Sequence, residues 1–553
     1  MKEKFIIYQV LPRLFGNTNP NCVPNSSLYT NGSGKFSTFD EKILKSIREL
    51  GCTHIWLTGI IEHATKTDYS KYNILKDNNQ IVKGEAGSPY AIKDYYDVDP
   101  DLADSVPDRL TEFKDLVKRV HDTEMKVIID FVPNHLAREY HSDSKPDKIE
   151  DFGSKDKIDY AFHPMNNFYY ILHKSFISPI SSTCQKNIYN ENPAKASGND
   201  CFKHNPEIND WFETIKLNYG VDYLNNKASY FNPVPDTWKK MKEVLTYWLN
   251  MGIDGFRCDM AEMIPPEFWK YTINHIKNLY PESVFIGEVY NPYNYDEFID
   301  IGFDYLYDKV GLYDTLKLIT KGEISASRIT ECWQSLGDKQ DKMLNFIENH
   351  DEVRVASDFY AGNPYAAIPA LTVSLMLNNA PFMLYFAQEL GERGMDSEGF
   401  STLDGKTTIY DYWSLKSIRE WTKCNKNPDI RDLYMKLLNI AINEPAIFKG
   451  NFFDLGYVNM KSEVYNSDYH YSFLRCFNNE IIIIAVNFSE LDSNIQINIP
   501  RHAFEYFGTQ KRYVESGFDL IDSVLYNEPL TYACPFKIFI SKKGIRIIKY
   551  LLQ

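Results

Sequence analysis

The sequence predicts an α/β protein built on a closed (β/α)8 barrel, with an inserted domain after the third strand and a C-terminal β-sandwich. Short runs rich in β-branched and aromatic residues alternate with helical segments, which is typical of a parallel sheet, and eight such units favour a closed barrel. After about residue 445, closely spaced β runs indicate a separate all-β domain. The predicted barrel strands are 5–11, 54–59, 126–132, 253–259, 283–290, 303–308, 343–349 and 382–388.

Helical patterns lie between these runs, for example at 39–51, 108–124, 235–251 and 265–279. A βα unit takes about 30 residues, yet far more chain than this separates the third predicted strand from the fourth. We therefore divide the chain into a barrel domain, an inserted irregular domain over the barrel mouth and a C-terminal all-β domain. The three comprise residues 1–135 with 226–445, residues 136–225 and residues 446–553, and a second long loop is predicted at 60–94.

The amino-acid composition limits the classes of molecule that this protein is expected to bind. The formal net charge is −15 and 15% of the residues are aromatic. The acidic balance argues against nucleic acid and against an anionic membrane, whereas aromatic rings suit the apolar faces of sugars. The nine cysteines form no CxxC pair, and the first residues lack a signal-peptide pattern. We therefore expect a cytoplasmic protein with reduced thiols, no membrane partner and no organic cofactor, and leave its oligomeric state open.

Four of the predicted strands end in carboxylates, histidine or asparagine where burial favours apolar side chains. In a parallel barrel, functional groups gather at the C-terminal ends of the strands. A single aspartate there is often only a helix cap, but four such ends in barrel order indicate an active site. They are DFVPNH (130–135), GFRCDMAEM (255–263), GEVY (287–290) and FIENHDEVR (346–354).

These four segments resemble the conserved regions of the α-amylase family, glycoside hydrolase family thirteen. The resemblance implies that Asp259 is the catalytic nucleophile, that Glu288 is the acid/base and that Asp351 is the third catalytic carboxylate. Retaining glycosidases need two carboxyl groups about 5–5.5 Å apart, and the ends of strands about 4.8 Å apart can provide this separation. We expect Arg257, on the same face as Asp259, to keep that aspartate ionised, and we expect Glu288 to be protonated.

The resemblance also implies a set of residues that bind the sugar. His135 and His350 are similar to two family histidines that bond sugar hydroxyls, and Tyr90 occupies the place where relatives stack an aromatic ring. Asp130 is expected to orient its neighbours, including Arg257. Cys258 faces outward by its parity along the strand and is not a catalytic thiol.

A structural Ca²⁺ is implied for many relatives but not for all. Asn134 and Asn218 match positions that hold this ion, the second within KLN (216–218), which resembles a fifth family region. Oxygen ligands from a loop and the barrel suit Ca²⁺, but neither position is a carboxylate. The sequence leaves the metal open.

One short stretch departs from the family pattern. Many starch-cleaving members carry Lys-His three and four residues after the nucleophile, where this chain has Glu262 and Met263. The exchange removes hydrogen-bond donors on the leaving-group side and leaves the three carboxylates intact. Chain-length preference, and the balance between hydrolysis and transfer, are therefore open.

The sequence favours an intracellular retaining α-glycosidase, similar to an amylase or maltodextrin hydrolase, that cleaves α-1,4-glucosidic bonds in malto-oligosaccharides. One alternative keeps the covalent intermediate but passes the sugar to another acceptor, as a transglycosylase or a trehalose-synthase-like isomerase does. A third hypothesis is a non-catalytic glucan-binding protein, since a fold alone does not specify a function.

Overall fold

The computed structural model describes residues 4–181, 188–424, 426–509 and 512–552. Cys184 and the rest of 182–187, within the predicted insertion, lie outside the described residues. The eight remaining cysteines are free thiols. Among the described residues, no helix is long and apolar enough to cross a membrane.

Eight parallel strands close into a barrel in which each strand pairs with its neighbours along the chain and the last pairs with the first. This confirms the predicted barrel. The strands are β1 (Ile6–Val10), β2 (His54–Leu57), β3 (Lys126–Phe131), β4 (Gly255–Cys258), β5 (Val284–Gly287), β6 (Tyr305–Tyr307), β7 (Met343–Phe346) and β8 (Phe382–Tyr385).

The predicted strands run one to three residues too long at their C-terminal ends. The run 253–259 ends in the structure at Cys258, and the run 283–290 ends at Gly287. In a parallel barrel, the residues just beyond the strand ends are commonly functional groups. Their side chains do not follow the apolar pattern of a strand, so the sequence does not show where each strand ends.

Helices pack around the outside of the barrel. An aromatic contact shows this packing, since the ring of Phe131 in β3 lies 6.1 Å from that of Trp269 in the helix Pro266–Leu279, measured between centroids. The helices of eight or more residues are Glu41–Leu50, Arg109–Asp122, Asp236–Asn250, Pro266–Leu279, Arg328–Leu336, Ile368–Met376, Lys416–Lys423 and Asp429–Asn443.

Two long connections rise over the C-terminal rim of the barrel. After β2, strands Ile61–His63 and Ile92–Val98 pair antiparallel, and we call this pair the loop hairpin. After β3, the predicted insertion consists of short two-stranded ribbons and irregular chain, beginning with His135–Ala137 paired to Thr214–Lys216. Both connections therefore lie where the predicted site residues are.

An antiparallel β domain follows the barrel, as predicted. Its largest sheet has six strands, and the ribbon Ser493–Ile497 with Phe536–Ile540 packs against that sheet through a separate apolar cluster that includes Ile483 and Ile538. The six strands are, in spatial order, Asn451–Asp454, His470–Phe477, Glu480–Asn487, Ile545–Leu551, Gly517–Asp519 and Val524–Tyr526.

Candidate active site

Two of the predicted catalytic carboxylates lie one residue beyond neighbouring barrel strands, and backbone hydrogen bonds still hold them. Asp259 follows β4, and its N–H donates to the Phe131 carbonyl at 2.9 Å. Glu288 follows β5, and its N–H donates to the Cys258 carbonyl at 3.1 Å. The barrel ladder therefore fixes the backbone of both residues at the C-terminal rim.

Arg257 joins these two carboxylates. Its Nη1 lies 2.6 Å from Asp259 Oδ1, and its Nη2 lies 2.7 Å from Glu288 Oε2. Asp130 Oδ1 lies 3.5 Å from Nη1, and the arginine Nε donates to the Tyr307 hydroxyl at 3.2 Å. Because guanidinium is planar and rigid, one cation sets the relative positions of the two carboxylates.

Hydrogen-bond donors surround both carboxylate oxygens of Glu288. Its Oε2 also accepts the Met260 N–H at 2.7 Å, and its Oε1 accepts the Tyr290 hydroxyl at 2.6 Å. Met260 has φ of 45°, a left-handed conformation that is strained for a side chain of this size and that aims its N–H at Glu288. The contacts of Glu288 in this structure are therefore those of a carboxylate surrounded by donors.

Asp259 is enclosed by other carboxylates. Burial raises the pKa of Asp259 well above its usual range, Arg257 lowers it, and the charge of Glu288 raises it further. Arg257 acts in the direction predicted from the sequence, but it is shared with Glu288 and Asp130, so its charge does not serve Asp259 alone.

Asp351, after β7, lies on the opposite side of the site beside His350. Its side chain is 43% exposed, and its Oδ2 lies 2.9 Å from His350 Nε2. Desolvation in the site raises the pKa of Asp351, but the charge and hydrogen bond of His350, together with the charges of Arg257 and Lys406, outweigh this effect and lower the pKa to about 2. Tyr90 stacks on His350, with ring centroids 5.4 Å apart, and its hydroxyl lies 2.5 Å from Nε2. Gln9 of β1 lies 2.7 Å from Nδ1.

His135 and Asp130 come from β3 and the segment that follows it. Burial lowers the pKa of His135 to about 3, with the charges of Lys216 and Lys83 adding to the effect, so this imidazole is neutral near pH 7. The Trp211 ring lies 5.1 Å from that of His135. Asp130 contacts Arg257 and accepts the Trp56 indole N–H at 3.0 Å, which agrees with an orienting position below the site.

The surroundings of Asn134 and Asn218 do not fit the Ca²⁺ that the sequence left open at these positions. The Lys216 ammonium, which is buried, donates to Asn134 Oδ1 at 2.9 Å and pairs with Asp200 at 2.5 Å. Asn218 Oδ1 accepts the Gly220 N–H at 2.8 Å. The oxygens that would face the ion are thus engaged, and a lysine side chain supplies the positive charge at Asn134.

The unusual pair Glu262–Met263 is not part of the cavity lining. Glu262 Oε2 instead accepts the backbone N–H of Asn291 at 3.1 Å, so it links the loop after β4 to the loop after β5. This contact gives the glutamate a structural role beside the segment that carries Glu288.

Five of the predicted residues line a cavity of about 250 Å³, namely Tyr90, His135, Asp259, Glu288 and Asp351, whereas Asp130, Arg257, His350, Asn134 and Asn218 are not among its lining residues. Its walls include side chains that the sequence did not indicate, because they lie on irregular loops without periodicity or a motif: Lys83, Ser88, Trp211, Glu213, Thr214, Tyr290, Ile409 and Tyr410. Tyr290 is the exception, since it closes the GEVY segment and could have been identified there. The loop after β2, the insertion and the chain beyond β8 all contribute to the enclosure.

Comparison with known proteins agrees with this geometry. The family model of the α-amylase catalytic domain matches residues 9–431. Alpha-amylase 3 of Dictyoglomus thermophilum is 24% identical over 388 residues, covering 65% of this chain and 68% of that protein. The cyclomaltodextrinase of Thermoanaerobacter pseudethanolicus is 24% identical over 511 residues, covering 89% and 71%.

Among solved structures, the maltogenic α-amylase AmyB of Thermotoga neapolitana is similar with a TM-score of 0.64 at 18% identity, covering 99% of each chain. At this identity the likeness shows the shared fold. Because the model of the α-amylase catalytic domain spans most of the sequence, the chain belongs to the α-amylase family of glycoside hydrolases.

Proposed function

We propose that this chain is a retaining α-glycosidase that hydrolyses α-1,4-glucosidic bonds in short malto-oligosaccharides. The observation that carries the proposal is the Arg257 bridge, in which two nitrogens of one guanidinium hold Asp259 and Glu288 at 2.6 and 2.7 Å. Carboxyl groups held this closely support the separation of about 5–5.5 Å used by retaining enzymes over the wider spacing of inverting ones.

The reaction takes place in two displacements. In the first, Asp259 attacks the anomeric carbon while Glu288 donates its proton to the departing glycosidic oxygen, which leaves a sugar covalently bound to the aspartate. In the second, Glu288 takes a proton from water, and the resulting hydroxide displaces Asp259 from the same carbon. Before the first step Glu288 must acquire a proton, and its contact with Arg257 loosens when it does.

The other predicted residues hold the sugar. Asp351 is ionised at working pH and is suited to accept hydrogen bonds from ring hydroxyls and to stabilise positive charge at the anomeric carbon. The neutral His135 can bond to hydroxyls, and Tyr90 offers its ring face to the pyranose. The buried His350 contacts both Tyr90 and Asp351 and so positions them.

The size of the cavity supports short substrates. Ligand pockets commonly measure about 300–1,000 Å³, and this cavity of about 250 Å³ is slightly smaller than that range. A long glucan would extend beyond such an enclosure, whereas the end of a malto-oligosaccharide fits within it.

Chromatography of the products from defined malto-oligosaccharides tests the proposal, with NMR of the first product formed. We expect cleavage to shorter chains with α-configured reducing ends. We expect Asp259→Asn to reduce the rate of cleavage on the order of 10⁴–10⁶-fold, as loss of a nucleophilic group does. Asp300 is exposed, so Asp300→Asn serves as the control and should leave the rate unchanged.

Each alternative predicts a different result. Products longer than the substrate, or sugar attached to an added acceptor in preference to water, would establish a transglycosylase or isomerase. Binding without cleavage or rearrangement would establish a non-catalytic protein, and cleavage of sucrose or isomaltose alone would overturn the substrate assignment. A β-configured first product would overturn the double displacement.

A further inference from the structure

Four carboxylates outside the proposed active site converge at the loop hairpin. Glu62 lies on its first strand, directly opposite Asp94 of the second, and Asp97 follows on that second strand. Asp143 comes from the segment that follows β3. One carboxylate oxygen from each of the four lies within 4.8 Å of the other three.

Three of these carboxylates are already held by donors. Asp94 accepts hydrogen bonds from the backbone of Tyr96, Asp143 and Ser144 and from the hydroxyl of Ser142. Asp97 forms an ion pair with Arg109, and the same guanidinium lies 3.4 Å from Asp143. These contacts fix the side chains in place and bring one positive charge to the group.

Glu62 differs from the other three. The residue is 1% exposed, and neither carboxylate oxygen has a hydrogen-bond partner in the part of the chain that the structure describes. A buried carboxylate without partners costs several kcal/mol in proteins unless something compensates it. The geometry of Glu62 therefore indicates a group that the polypeptide itself does not supply.

The negative charges around Glu62 favour a cation as that missing group. Burial raises the pKa of Glu62 well above its usual range, and the charges of Asp97 and Asp94 add to the rise. Arg109 offsets only part of the negative charge of four carboxylates, and the neighbouring Lys93 is engaged with Asp77 at 3.0 Å. A cation at Glu62 would relieve this repulsion.

We propose that Glu62, Asp94, Asp97 and Asp143 form a Ca²⁺ site in which Glu62 is the principal ligand. Ca²⁺ prefers carboxylate oxygens at about 2.3–2.6 Å, so ligands on opposite sides of the ion lie up to about 5 Å apart, in agreement with the observed clustering. The cluster lies on different residues from Asn134 and Asn218, where Lys216 takes the place of a metal.

Such an ion has a structural consequence for the active site. Tyr90 lies two residues before the second strand of the loop hairpin, and His135 opens the segment that leads to Asp143. An ion shared by Glu62 and Asp143 connects the hairpin to that segment and stabilises two walls of the cavity together. Its removal therefore loosens both walls.

Calorimetric titration of CaCl₂ into the chelator-treated full-length chain tests the proposal, with thermal unfolding followed in chelator and in CaCl₂. We expect the wild-type chain to bind one ion at this cluster and to gain thermal stability from it. Glu62→Gln and Asp143→Asn should each weaken binding at least tenfold and reduce the stability gained from CaCl₂. Glu282→Gln, an exposed glutamate, should behave like the wild type.

Glu62→Gln is the sharper variant, because it keeps the shape of the side chain and removes repulsion. In chelator it should unfold at the same temperature as the wild type or higher, so loss of Ca²⁺ binding cannot be attributed to misfolding. Wild-type protein that binds no Ca²⁺ would overturn the proposal and show that Glu62 holds a proton instead. Ca²⁺ binding of unchanged affinity in Glu62→Gln would also overturn it, because the ion would then lie elsewhere.

Discussion

Arg257 contacts both proposed reacting carboxylates, so at the scale of single residues it decides how charge is distributed in the site. A fixed cation placed between two carboxylates stabilises whichever of them is ionised, and the other then takes up a proton more readily. Arg257 therefore lowers the pKa of Asp259, against the burial and the charge of Glu288 that raise it.

The acid limb of the pH profile follows from this arrangement. Asp259 must be ionised to attack, and burial raises its pKa, so activity is lost as pH falls through that raised value. Asp351, with a pKa of about 2, stays ionised over the whole range. We expect the acid limb of kcat/KM to have its midpoint above about 3.9, the ordinary aspartate value. Initial rates from pH 3 to 8, with thermal unfolding measured at each pH, check this, and a midpoint at or below pH 3.9 contradicts it.

Tyr290 provides a second test at this scale. Its hydroxyl donates to Glu288 Oε1 at 2.6 Å, and a hydrogen bond to a charged group contributes about 1.5–3 kcal/mol, so Tyr290→Phe should lower kcat roughly ten- to hundred-fold on malto-oligosaccharides. An aryl glycoside whose leaving group needs no proton should be affected much less. Tyr293→Phe, 94% exposed in the same loop, is the matched control. Equal losses on both substrates would show that Tyr290 does not act through Glu288.

At the scale of elements, the loops after the strands determine the shape of the site. The strand ends supply the proposed reacting carboxylates, whereas the loop hairpin, the insertion and the chain beyond β8 supply most of the cavity wall. Glu262 shows how such loops are joined, because its carboxylate holds the backbone of the next loop at Asn291.

We therefore expect Glu262→Ala to act on stability rather than on the choice of acceptor. Loss of this hydrogen bond should cost about 1 kcal/mol, while the ratio of hydrolysis to transfer stays as in the wild type. Thermal unfolding and product chromatography with an added acceptor sugar measure the two effects, with Glu282→Ala as the exposed control. A changed ratio of products would show that Glu262 contacts the acceptor after all.

At the scale of the whole molecule, Arg475 attaches the C-terminal sheet to the barrel. It is 1% exposed, and it donates to the carbonyls of Leu377, Ala446, Ile447 and Gly450 at 2.9–3.0 Å. Burial lowers its pKa to about 10, which leaves it charged at neutral pH. One cation therefore satisfies carbonyls from both parts of the chain.

Arg475→Met should destabilise the protein by about 1–3 kcal/mol for each carbonyl that water cannot reach. We expect a lower unfolding temperature with little change in KM for the molecules that remain folded. Arg501→Met, which removes an exposed ion pair to Glu505, is the control. An unfolding temperature equal to that of the wild type would show that the two parts are held together by apolar packing alone.

The sequence by itself determined the barrel, the C-terminal β domain and the strand ends that carry Asp130, Arg257, Asp259, Glu288 and Asp351. The apolar periodicity of the strands and the spacing between them can be read from short segments of sequence. A parallel barrel brings the C-terminal ends of its strands to one rim, independently of the loops that connect them. Only the tertiary structure decided that the Lys216 ammonium contacts Asn134 where the sequence left a metal open, that Glu262 contacts the next loop and that Glu62 lies among three aspartates. These contacts join irregular segments far apart in the chain, and their energies depend on burial and on partners that no local pattern specifies.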